Sequence, residues 1–194
     1  MAEAFFESMV RDLPVEVSSA GILELGSGRA VPEAIDACKP LGHNLKKHRS
    51  TPLSETDLSS ADLVIGFERQ HIDAAIARAG ADRSRAFLIT EAVQLLGRLP
   101  TPAEHGDDPI GQARSRVVEI AVLRGSHEES SSLEIQDPKR QPAPDYDELA
   151  VYLRRLCHLL AARLFGHQVI VLDPPEASKK GRKKGALLRK LRDG

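Results

Sequence analysis

No apolar run in this chain approaches the roughly 20 residues that a membrane-spanning helix requires. The first residues also lack the basic segment and apolar stretch of a signal peptide. Cysteine is scarce. Cys38 and Cys157 could make one bridge at most and nothing requires it, so a reducing cytoplasm is the expected compartment. The seven histidines form no His-x3-His or His-Glu-x-x-His pair, which leaves no zinc-type site. No Gly-x-Gly-x-x-Gly follows a strand pattern, and no Walker-type Gly-Lys-Ser/Thr occurs. Neither a metal nor a cofactor is expected.

What remains is an ordinary globular composition: 194 residues, 41% apolar and 28% charged, enough for one α/β core. The formal net charge of −1 hides an asymmetry. From Lys179 onward the chain has Lys179, Lys180, Arg182, Lys183, Lys184, Arg189, Lys190 and Arg192 against Asp193 alone, a net +7 that leaves about −8 on the rest. This tail is read as a solvated, disordered terminus. The alternative is a contact with nucleic acid or an anionic membrane surface, although no aromatics are interleaved for base stacking.

Strand and helix patterns alternate. Phe5, Phe6, Met9 and Val10 recur at helical spacing from the first residues onward. Val15-Glu16-Val17 predicts a short strand running into Ser18-Ser19-Ala20-Gly21. Pro32 suits the first turn of a helix bearing Ile35 and Cys38 and stopping near Pro40 and Gly42. Ser54-Glu55-Thr56-Asp57 reads as a capping box. Leu63-Val64-Ile65 and Phe87-Leu88-Ile89 read as strands buried on both faces. Between and after them, Ile72, Ala75, Ile76 and Ala79, then Ala92, Leu95 and Leu96, form helical stripes. Residues 97–136 begin with breakers (Pro100, Pro102, Gly106, Pro109, Gly111) and carry one helical pattern through Val117, Val118, Ile120, Ala121 and Leu123. A long last helix, from Tyr146 to Phe165, places Leu149, Tyr152, Leu153, Leu156 and Leu160 on one side. Such alternation argues for a parallel sheet with right-handed crossovers.

The first helix has no capping residue, strand or loop ahead of it, so the chain reads as starting in the middle of a domain. Five segments in order support that reading: Met1-Ala2-Glu3-Ala4-Phe5-Phe6, Val17-Ser18-Ser19-Ala20-Gly21, His48-Arg49-Ser50, Ala61-Asp62-Leu63-Val64 and Asp137-Pro138. Together they resemble the low-molecular-weight protein tyrosine phosphatase family. The likeness is close over residues 1 to about 96, looser after that, and returns at Asp137. It implies a three-layer α/β fold whose parallel sheet has flavodoxin-like order, with the first, central strand missing. It divides the chain into a phosphatase-like domain over 1–167, with 97–136 as an insertion-like segment, and a short β-type run plus basic tail over 168–194.

The resemblance also implies the chemistry. A thiolate in a Cys-x5-Arg-Ser-Pro loop attacks phosphorus, the loop arginine steadies the equatorial oxygens, and a carboxylic acid protonates the leaving oxygen. In the family that loop lies directly before the Met-Ala-Glu-Ala helix, and these residues do not contain it. Asp137, preceding Pro138, matches the acid; Asp108-Pro109 and Asp173-Pro174 offer the same dipeptide as ordinary turns. Lys139 and Arg140 follow where the family often places aromatics, which weakens any preference for an aromatic phosphoester. Ser19 and His48 match positions that brace the phosphate loop from beneath, while on pattern alone Ser19 is a strand-end turn residue and His48 a surface histidine. Cys157 and Arg163 satisfy Cys-x5-Arg, but inside a strong helical stripe whose N–H groups are spent in the helix, so Cys157 is expected to be a buried structural thiol. The thiol-relay arsenate reductases that share this fold need three cysteines, one more than the chain has.

Three functional readings result. The first is a phosphatase of phosphotyrosine proteins or aryl phosphates once the loop is supplied, inactive as the chain stands. The second is a pseudophosphatase scaffold, and the third a tether acting through the basic tail. Removing a central strand would leave unpaired backbone edges, and Val169-Ile170-Val171-Leu172 is the one unassigned β-type run able to pair there.

Overall fold

The structure, a computed structural model, describes residues 1–23, 28–102, 108–125, 134–135 and 145–166. Helix α1 (Ala2–Val10) starts at Met1 without a side-chain cap and buries Phe5, Met9 and Val10, as its apolar spacing requires. Strand β1 (Ala20–Gly21) precedes α2 (Pro32–Cys38), where Pro32 stands in the first turn, its missing N–H costing nothing there. A 3-10 turn over Lys39–Leu41 then ends at Gly42, whose φ of +84° is one that only glycine adopts freely. Strand β2 (Thr51–Pro52) runs parallel to β1.

The second strand pair joins β3 (Val64–Gly66) to β4 (Ala86–Leu88), also parallel, with Ile65 opposite Phe87, and α3 (Arg69–Ala79) crosses between them. Alternation splits its faces. Val64, Ala86 and Leu88 pack on Ile72 and Ile76 of α3, whereas Ile65 and Phe87 face the main core. A Cβ on Gly66 would lie 2.7 Å from Ile72 Cδ1, so Ile72 would have to shift to admit a larger residue at this close approach of strand and helix.

Helices α4 (Ile89–Leu96), α5 (Pro109–Arg124) and α6 (Tyr146–Phe165) complete the described chain. Asp108 accepts from the Gly111 N–H at 2.8 Å to cap α5, and Asp145 accepts from the N–H groups of Asp147 and Glu148 at 3.1 and 3.0 Å to cap α6. Helix α6 is the spine: α1, α2, α4 and α5 all pack on it, over buried Leu153, Leu156, Cys157, Leu160 and Leu164. The result is α/β with parallel strands, helices lying on both faces of the β3–β4 pair.

Four local expectations are corrected. Val15–Val17 is not in a ladder: the Val15 N–H is spent on Leu13 O at 2.8 Å in a turn, and pairing begins at Ala20. Ser54–Asp57 caps no α-helix; a 3-10 turn covers Leu53–Glu55 and Asp57 accepts instead from the Ser59 N–H at 2.9 Å. The run Leu63-Val64-Ile65 is half-buried rather than covered on both faces, β4 being its ladder partner among the described residues. Ile89 opens α4 instead of ending β4. The pattern within 97–136 is α5, packed against α4 and α6 through Ala113, Val117 and Ile120, while Val118 points outward at 62% exposure. Val169–Leu172 and the basic tail lie outside the described residues.

The end of α5 is fastened to the sheet by one side chain. Arg124 donates from Nη1 to Ala86 O and from Nη2 to Arg83 O, both at 2.6 Å, and its guanidinium lies 4.1 Å from the centre of the Phe87 ring. Arg124→Met keeps the apolar stem and removes both bonds and the cation–π contact. A loss of about 1–3 kcal/mol is expected in urea unfolding, and an unchanged midpoint would show that the contacts carry no stability.

Candidate active site

Three residues remote in sequence meet at the first turn of α1. Ser19 Oγ donates to Glu3 Oε2, and His48 Nδ1 lies 3.6 Å from Glu3 Oε1. The His48 and Glu3 side chains are 25% and 24% exposed, half-buried at the rim of the helix end. The pairing of β1 with β2 creates this meeting: Ala20 stands opposite Thr51, so Ser19 and the chain just after His48 are drawn together. His48 is held by its own N–H donating to Leu45 O at 3.0 Å, closing the 3-10 turn Leu45–Lys47. Both sequence-predicted brace residues are thus in one cluster. Glu3, which joins them, was not singled out by sequence reasoning; its one signal is an acid in a first helical turn, which the helix dipole alone explains.

The order of contacts limits the chemistry. The carboxylate sits between hydroxyl and imidazole, so the Ser19 hydroxyl donates its hydrogen bond to Glu3 rather than to His48, and no serine nucleophile is set up. The cluster can instead hold a loop. The first N–H groups of a helix have no acceptor within it, which makes the end of α1 a place where backbone donors and positive dipole favour an anion.

Neither cysteine supplies a nucleophile. Both are buried, burial raises the Cys38 thiol, and it pushes Cys157 up to about 12. Cys157 Sγ donates to Ala2 O at 3.7 Å, and Arg163 donates from Nη1 to Val93 O near the end of α4. The Cys157–Arg163 spacing is therefore ordinary helix, and both members have structural partners. His43 is edge-on to Phe5 with ring centres 4.9 Å apart, and burial lowers its pKa, with Arg154 and the α-amino group adding to the effect.

A second polar cluster lies at the carboxyl end of β3. Glu68, buried, accepts from Gln70 Nε2 at 2.6 Å, and His71 Nδ1 accepts from the Glu68 N–H at 3.1 Å. The chain returns here from α5: Ile135 N donates to Phe67 O at 2.7 Å, and the Arg69 N–H donates to Glu134 Oε1 at 3.0 Å. Asp137, two residues on, lies outside the described residues. Among the described residues no group of three or more His, Cys, Asp or Glu side chains could hold a metal, and no helix is long and apolar enough to cross a membrane.

Comparison with known proteins converges. A sequence model of the family described as low molecular weight phosphotyrosine protein phosphatase matches residues 1–115. A protein-arginine-phosphatase of Bacillus subtilis (strain 168) is 36% identical over 115 residues, 57% of this chain and 71% of that protein. A crystal structure of a low molecular weight protein tyrosine phosphatase from T. tengcongensis shares the fold, with a TM-score of 0.56 over 84% of this chain and 88% of that one, at 22% identity.

Two measurements check this geometry. Iodoacetamide should leave Cys38 and Cys157 unmodified in the folded protein and alkylate both in urea; rapid native labelling would contradict their burial. A double-mutant cycle of Glu3→Ala with His48→Ala should show a coupling of about 0.2–1 kcal/mol that shrinks in 1 M salt, and no coupling would mean that the two side chains do not interact.

Proposed function

The chain belongs to the low molecular weight phosphotyrosine protein phosphatase family, and from that premise we propose that it is the phosphatase-like body of a phosphoprotein phosphatase, acting in the cytoplasm. Its α1 terminus, with Glu3, Ser19 and His48, is the floor on which a Cys-x5-Arg loop rests. The observation that carries this reading is the convergence of Ser19 and His48 on Glu3 at that helix end. Residues 1–194 hold no such loop, their one Cys-x5-Arg spacing lying in α6, and by themselves do not turn over. An extended strand leading into that loop completes a flavodoxin-like sheet beside β3. The half-burial of the apolar residues Val64 and Ile65 supports this placement, since a further strand would cover them.

Asp137 is the general acid in this proposal. The anchoring of Ile135 to Phe67 brings the chain to the carboxyl end of β3, where open parallel sheets place their ligands, two residues before Asp137. The thiolate displaces the leaving group from phosphorus as Asp137 protonates it, and the resulting carboxylate then takes a proton from the water that cleaves the cysteinyl phosphate. The leaving atom is a phenol oxygen for phosphotyrosine. The name of the B. subtilis relative adds a guanidinium nitrogen as the second candidate, and Lys139 and Arg140 after the proline leave the aromatic preference open. A scaffold without turnover is the second reading, favoured by the burial of both cysteines.

Hydrolysis of p-nitrophenyl phosphate, phosphotyrosine and phosphoarginine decides between them. Residues 1–194 alone should show no rate above buffer. The same chain extended by a short apolar strand and a Cys-x5-Arg-Ser-Pro loop should turn over and lose about 10²–10⁴-fold on Asp137→Asn. Turnover by residues 1–194, lost in Asp137→Asn, would overturn the proposal. A folded but inert extension would leave the scaffold.

A further inference from the structure

Arg29 and Arg49 form an isolated antiparallel bridge, which sets two like charges directly opposite each other. One backbone and one side-chain bond fix the register: the Ser50 N–H donates to Gly28 O and the Gly28 N–H donates to Ser50 Oγ, both at 2.9 Å. Opposed residues of such a pair lie about 4.5–5.5 Å apart at Cα, so the two guanidinium groups are rooted in one small area. Lys46 and Lys47, in the turn just before, are exposed like both arginines. Among the described residues no carboxylate pairs with any of the four; Arg49 Nη1 donates to His48 O at 3.1 Å, a neutral acceptor.

This cluster runs against the overall charge of the chain before the basic tail, which is about −8. Crowded cations without a counter-charge repel each other, and a bound anion relieves that repulsion. The cluster also borders the candidate site, because His48, between Lys47 and Arg49, turns inward to Glu3.

We infer that Arg29, Lys46, Lys47 and Arg49 form a docking surface for a carboxylate-rich segment of the protein whose phosphorylated residue enters the site at the end of α1. The inference rests on the phosphoprotein reading for the identity of the partner. Arginine forks bind carboxylates through two N–H groups at once, and an adjacent pair fits closely spaced Asp or Glu side chains. Nucleic acid fits less well. Residues 28–30 and 44–52 contain no Phe, Tyr or Trp on which bases could stack.

The test is fluorescence anisotropy with the full chain and a labelled, unphosphorylated Asp/Glu-rich peptide at 50 and 500 mM NaCl. It needs no turnover, so the phosphatase reading can fail while this result stands. Binding is expected at low salt and should fall steeply at high salt. It should weaken about tenfold in Arg29→Ser/Arg49→Ser, whose unfolding midpoint should be unchanged or raised, and similarly in Lys46→Glu/Lys47→Glu. A variant with Lys179, Lys180, Arg182, Lys183 and Lys184 changed to Ser should bind as the parent does. No binding at 50 mM NaCl, or binding lost with the tail and kept in both patch variants, overturns the inference. Tighter binding of a single-stranded RNA than of the peptide through the same four residues would overturn it in favour of nucleic acid.

Discussion

The seating of α1 on α6 is the constraint on which the rest depends. Phe5 and Met9 are fully buried and Val10 nearly so, against a helix that also receives α2, α4 and α5. Glu3 is two residues before Phe5, about 200° around the helix, so burying one turns the other away from the core. The same contact that stabilises the body therefore aims the carboxylate at Ser19 and His48. Truncating Phe5 to Ala would be felt at the site as well as in the core, because the burial of Phe5, Met9 and Val10 sets the roll of a helix with no side-chain cap.

Arginine closes several of the seams between these helices. Arg124 reaches carbonyls at and just before β4, Arg163 reaches Val93 O near the end of α4, and Arg114 grips Asp62 with Nε and Nη2 at 2.8 and 3.0 Å. The first two add a charged donor to carbonyl groups at element ends, where Arg83 O and Val93 O already accept from the N–H groups of Ala86 and Gly97. The exposed Asp62–Arg114 pair does less for stability and more for register, holding the start of α5 near the loop that enters β3.

The long amphipathic elements were legible in the sequence because their signal is internal. The stripe from Tyr146 to Phe165 and the Phe5–Met9–Val10 face state a helix whatever surrounds them. Strands are different, since a ladder needs a neighbour. Val15–Val17 has the composition of a strand, but its N–H is taken by a turn, whereas Ala20–Gly21, with no β propensity to show, pairs because Thr51–Pro52 lies beside it. Ser54–Asp57 failed for a related reason: a capping pattern marks a helix only if a helix follows, and here a 3-10 turn does. At the site, Ser19 and His48 were visible through the order of motifs, and Glu3 was not, because an acid in a first helical turn already has an ordinary explanation.

The two thiols show how local placement decides chemistry. Cys157 lies beside the first turn of α1, the same turn that carries Glu3, yet it faces the Ala2 carbonyl rather than a free N–H. A carbonyl acceptor stabilises the protonated thiol, and burial does the same, so the sulfur is held as the neutral thiol. A sulfur aimed at the N–H side of that turn would feel the opposite field, with backbone donors and the positive dipole end holding it as the anion. Proximity to the helix end is thus insufficient for a reactive thiol. The Cys-x5-Arg spacing inside α6 therefore holds a protonated, buried sulfur and an arginine spent on Val93 O, a structural pair rather than a phosphate-binding loop.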